Sequence, residues 1–134
     1  MKKNLMKKMM ALAIAIMTIA TNSVAASAET FNLHYTAGAP STDNNISDLC
    51  SARATGGSYM RLVCTSFSQS VDYGSVTVTC SRYPISSTRF AASCGINMTY
   101  TGAIPANGET VTFNLALNNY ISAKYISAIG YIGN

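Results

Sequence analysis

Apolar and polar residues trade places at every second position through much of this chain, the period of a strand with one buried face. Phe31, Leu33 and Tyr35 alternate with Asn32 and His34. Over 59–67, Met60, Leu62 and Cys64 share one parity, and Tyr59, Val63 and Phe67 share the other. Val76, Val78 and Cys80 alternate with Ser75, Thr77 and Thr79. A less regular segment runs from Thr88 to Cys94, Ile96, Met98 and Tyr100 follow, and Val111, Phe113, Leu115 and Leu117 make the cleanest run. About seven short strands between turn-forming residues predict an all-β fold, a small antiparallel β-sandwich or a partly open barrel.

Two departures from this period carry their own expectations. Ser47 to Ala54 predicts one short helix near 47–54, with Ser47 as N-cap and Asp48 close to the positive helix end. The tail repeats Tyr-Ile at 120–121, 125–126 and 131–132, and a five-residue step changes face in a strand. A final strand there is expected to be buried on both sides or bulged, with Gly130 as the bulge position. Between the two best runs, Pro105-Ala106-Asn107-Gly108-Glu109 supplies the positive φ values of a tight reversal, so residues 96–117 are predicted to form a β-hairpin. Tyr125–Ile132 has neither charge nor proline, a profile that favours self-association if its edge is exposed.

The first 28 residues follow a different logic. Lys2, Lys3, Lys7 and Lys8 precede an apolar run from Met9 to Ala20, and Ala26-Ser27-Ala28 gives the small-x-small pattern of a signal peptidase site. The apolar core is short of the ~20 residues that span a bilayer. The expectation is a signal peptide, 1–28, cleaved after Ala28, and a single secreted domain, 29–134. It would be extracellular, or periplasmic in a cell with an outer membrane, and without a stable membrane anchor.

That division removes the positive charge. Of nine Lys and Arg, four lie in the leader; Arg53, Arg61, Arg82, Arg89 and Lys124 remain against Glu29, Asp43, Asp48, Asp72 and Glu109. A balanced domain has no electrostatic footprint for nucleic acid or anionic lipid. The partner expected instead is an extracellular protein or glycan.

Cys50, Cys64, Cys80 and Cys94 follow C-x13-C-x15-C-x13-C. An even count in an exported chain predicts two disulfides, and none of the spacings is the close pair a structural zinc site uses. Three connectivities are open; Cys50–Cys64 with Cys80–Cys94 is preferred for its two short, matched loops.

Catalytic patterns are sparse. His34 is the single histidine and falls on the polar parity of its strand. Gly56-Gly57-Ser58-Tyr59-Met60 lacks the closing glycine of a nucleophile elbow, and the five acids form no recognisable pair. Asp43, Asn45, Ser47 and Asp48 have the alternate oxygens of a calcium loop's opening, but no glycine stands sixth and Ala54 occupies the closing glutamate's place. No cofactor and no metal are expected. The eight tyrosines fit ordinary strand packing and also suit a binding face, since a phenol offers apolar area with a polar tip. The expected function is a noncatalytic extracellular binding or interaction protein. The alternative is a secreted antagonistic effector of bacteriocin or toxin type, with a hydrolase third.

Overall fold

Period-two alternation is realised almost throughout. The computed structural model describes residues 29–133 except 72 and 87, so the expected leader and its cleavage position lie outside the described residues. Eight strands form: β1 Thr30–Thr36, β2 Ser47–Arg53, β3 Tyr59–Gln69, β4 Ser75–Thr79, β5 Thr88–Phe90, β6 Cys94–Thr99, β7 Thr110–Asn118 and β8 Tyr125–Gly133. They build two four-stranded sheets, ordered β1-β8-β3-β6 and β2-β7-β4-β5, with every pairing antiparallel. This is an open sandwich, not a closed barrel. Its core is the inward parity of both sheets, with Phe31, Leu33, Met60, Leu62, Met98, Ile126 and Ile132 facing Val76, Val78, Val111, Phe113 and Leu115. Phe90 joins the layers, its ring 6.3 Å from both Phe31 and Phe67.

Residues 47–53 form strand β2, not a helix. Cys50 and Ala52 point inward while Leu49 and Arg53 face out, a period-two pattern in which small buried residues hide the signal. Asp48 does not stabilise a helix end. Its carboxylate accepts from the backbone N–H of Asn32 at 3.0 Å and from Leu49 at 2.9 Å.

The predicted hairpin over 96–117 is also overturned. β6 pairs with β3 in one sheet, while β7 lies between β2 and β4 in the other. The connection is therefore an arch from sheet to sheet. Gly108 has φ 81°, as the turn chemistry requires, but its N–H donates to Ala54 at the end of β2 and Ala54 N–H donates to Glu109. The Asn-Gly turn is real; it reverses the chain without pairing its flanks.

A bulge corrects two further expectations. The β3–β8 register slips between Cys64 and Ser66, so Cys64 opposes Gly130 while Ser66 opposes Ile129. The extra residue belongs to β3, opposite Gly130 and not at it. Beyond it the parity of β3 inverts, which brings Phe67 onto the inner face with Met60 and Leu62. Gly130 is what permits the close approach: a Cβ there would strike the Val63 carbonyl and stand 2.6 Å from Phe31 Cζ and 2.9 Å from Cys64 Cα.

β8 is interior to its sheet. Ile126, Ala128, Gly130 and Ile132 point in, whereas Tyr125, Ile129 and Tyr131 point out. The five-residue step from Ile121 to Ile126 crosses the turn before the strand, so no face change occurs within it. Both backbone edges of Tyr125–Ile132 are occupied by β1 and β3, which leaves only its outer side chains open to association.

At one flank β1 and β2 are stitched together. Asn32 N–H goes to Asp48, Thr36 N–H to the Asn44 carboxamide and Ser51 N–H to the Glu29 carboxylate, while the Asn45 side chain donates to Asn32 O. His34 and Asn45 exchange both backbone bonds. The other edges, β5 and β6, lie together on the opposite flank.

No bond joins any two of the four cysteines, so the two expected disulfides are not seen. Cys50 opposes Phe113, and Cys80 follows the Thr79–Asn114 pair, so the two flank Phe113 at about two strand spacings, roughly 9.5 Å. Cys64 has Cys94 as its cross-strand neighbour.

Candidate functional site

Polar connecting segments between apolar strands ordinarily keep large hydrophobic side chains out of water. Here one end of the sandwich does the opposite. The segments 37–46 and 119–124 meet there with residues 70, 71, 73 and 74 and the start of β8, and this end presents Ile121 (78 % exposed), Tyr73 (66 %), Tyr125, Ile46 and Val71. These are five of the ten exposed large hydrophobics among the described residues, so the apolar surface is concentrated at this end.

The same segments are tied together. Lys124 N–H donates to Ser70 Oγ at 2.7 Å, Ser70 N–H to Tyr125 O at 3.1 Å, and Ala37 N–H to Lys124 O at 2.8 Å. Gln69 turns its carboxamide onto Gly74 N–H at 2.9 Å. Asn119 adopts the left-handed conformation (φ 56°) that carries β7 into the 3-10 turn Tyr120–Ser122. Tyr35 and Tyr120 pack with their rings tilted by 59° and centroids 4.8 Å apart. With Ser41, Asn44 and Ile46 they line a shallow cleft of about 210 Å³. Rigid aromatic and aliphatic tips beside hydroxyl and amide groups on fixed loops suit contact with another surface.

The tyrosines therefore do not form one face. Tyr35, Tyr73, Tyr120 and Tyr125 belong to this end, and Tyr59 and Tyr131 lie on the outer face of the β1-β8-β3-β6 sheet. The outer face of the other sheet is hydroxyl- and amide-rich, with Ser51 bonded to Thr112 and Asn118 to Thr77.

Tyr83 and Tyr100 sit at the far end, where ring centroids 6.0 Å apart meet edge to face. Tyr83 OH donates to Glu109 at 2.7 Å, Arg82 lies 3.2 Å from the same carboxylate, and Ala106 N–H reaches its second oxygen at 3.1 Å. The Tyr83 hydrogen bond and the Ala106 amide hold the Glu109 carboxyl below its ordinary value. The same bond raises Tyr83, and burial pushes Tyr100 up to about 12. A depressed carboxyl stabilises its turn at neutral pH, and that contribution disappears as pH falls through the folded value. Protection of the Ala106 amide against exchange, relative to its intrinsic rate, should drop as pH falls below the ordinary carboxylate range. Glu109→Gln should abolish this acid step; an unchanged step would assign it elsewhere.

The other candidates from sequence are occupied structurally. His34 is half-buried on the outward parity, with Nε2 3.0 Å from Asp43 O. Asp43 accepts from Thr42, whereas Asp48 and Asn45 serve β1. No three metal-ligating side chains converge among the described residues. Sequence reasoning missed the loop-end hydrophobics, although Val71, Tyr73 and Ile121 stand out as large apolar residues inside otherwise polar connections. Comparison of the chain with known families, curated proteins and solved structures finds no match.

Proposed function

We propose that the protein is an exported, noncatalytic binding module that holds a partner protein with the loop end carrying Ile121, Tyr73, Tyr125, Ile46 and Val71. The concentration of exposed apolar side chains on mutually hydrogen-bonded loops carries this reading. Preformed loops lose little conformational entropy on contact, so buried apolar area is available for affinity. The basic-apolar-small pattern of residues 1–28 supports export. Protein harvested outside the cell should then begin at Glu29, which intact mass reads directly.

The binding test uses the partner captured in the native surroundings and titrated against purified variants. Central aromatic and aliphatic anchors typically contribute about 2 kcal/mol or more, a loss of roughly thirtyfold in affinity. Ile121→Asp and Tyr73→Asp should each weaken binding by at least about tenfold while leaving the thermal midpoint unchanged. Leu49→Asp, on the outer face of the opposite sheet, should bind as wild type. Full affinity in both loop variants, or competition by free sugars instead, would overturn the proposal.

A further inference from the structure

We infer that Cys64 and Cys94 form a cross-strand dithiol that closes to a disulfide within the folded domain, while Cys50 and Cys80 remain thiols. The inference rests on register and is independent of the loop-end reading. In the antiparallel β3–β6 ladder Cys64 and Cys94 are direct partners, so their side chains leave the same face. Opposed residues have Cα atoms about 4.5–5.5 Å apart, within the ~4.4–6.8 Å a disulfide spans. Cys64 N–H lies against the Cys94 sulfur, and the two sulfurs are close enough for their charges to interact.

Both positions also have freedom to adjust. Cys64 is the last residue before the bulge, and Cys94 is the first of an edge strand. Cys50 and Cys80 have neither advantage, since Phe113 separates them.

Burial differs across the pair. Cys94 is half-buried and Cys64 only 3 % exposed, and burial raises both thiols, Cys64 to about 11. An external disulfide R–S–S–R therefore meets Cys94 first. The Cys94 thiolate attacks one sulfur, forming Cys94–S–S–R and releasing the first R–SH after protonation. The Cys64 thiolate then attacks the Cys94 sulfur, expelling the second R–SH. The pair loses two electrons and two protons, which the external disulfide takes up. A depression lined by Phe67, Ser68, Gln69, Ala91, Ala92 and Ser93 ends one residue from Cys94 and gives the reagent room.

The test incubates the fully reduced, folded protein with glutathione disulfide. The expected product has lost two hydrogens. After unfolding it retains two alkylatable thiols, and cuts after Arg53, Arg61, Arg82 and Arg89 with a further cut after Phe67 or Tyr73 put each cysteine on its own fragment and map the bridge to Cys64–Cys94. Cys94→Ala should abolish closure, leaving its three remaining thiols all alkylatable after unfolding, and Cys80→Ala should leave closure unchanged. A bridge joining any other pair first would overturn the inference, as would a persistent glutathione adduct on Cys94 or four intact thiols in the wild-type protein.

Discussion

Gly130→Ala should destabilise the fold by about 3–5 kcal/mol, at the upper end for overpacking because the obstacle is backbone. The row Phe31, Gly130, Cys64 crosses the inner face of the β1-β8-β3-β6 sheet. Phe31 lays its ring over the space a side chain at 130 would need, and the Val63 carbonyl closes it from β3. A rotamer change can move the ring, but only separation of β3 from β8 can move the carbonyl. Those two strands share the longest pairing in the molecule. Phe31→Leu in the Gly130→Ala background should therefore restore little. Gly102→Ala, where nothing lies within 4 Å and φ is unremarkable, is the matched control and should be nearly neutral. Urea midpoints measure all three; similar midpoints for the 102 and 130 variants would refute the bulged register.

The second large effect is at Phe113. This ring is fully buried in β7, the inner strand between β2 and β4, with Cys50 and Cys80 on either side. Its neighbours belong to three hydrogen-bonded strands and cannot collapse into the vacated space, so Phe113→Ala should cost about 3–5 kcal/mol. For a domain of this size that is a fall in thermal midpoint of roughly 15–30 °C. Phe113→Leu retains most of the volume and should lose a smaller part. Calorimetry of the two variants gives the comparison, and equal midpoints would place the ring outside the core.

What the sequence made legible follows from how locally each feature is encoded. Strands with large buried residues, such as Val111 to Leu117, announce themselves because each position reports its own burial. β2 did not, because Cys50 and Ala52 are small and Ser47-Asp48 imitates a helix entry. Asn107-Gly108 correctly signals a reversal of the chain. Which sheet each flank joins depends on β2, β3 and β4, which lie far away in sequence. The bulge is subtler still: one extra residue in β3 changes the face of Phe67, and no local property of Thr65 declares it. The loop-end surface was legible only in part. The abundance of tyrosine fits strand packing as well as contact, and its division among both ends and one sheet face is a product of topology.

The stitched flank between β1 and β2 has a consequence for how copies of this molecule could accumulate. Oxygens of Glu29, Asp48 and Asn44 already accept from amides a foreign strand would need there, and the Asn45 side chain donates to Asn32 O. Among the described residues the remaining sheet edges, β5 and β6, run together on the opposite side. Growth of a fibre requires two adhesive sides per unit, and this unit has one. Accretion by strand pairing would therefore terminate at a couple, a restraint on the polymerisation of a strand-rich polypeptide.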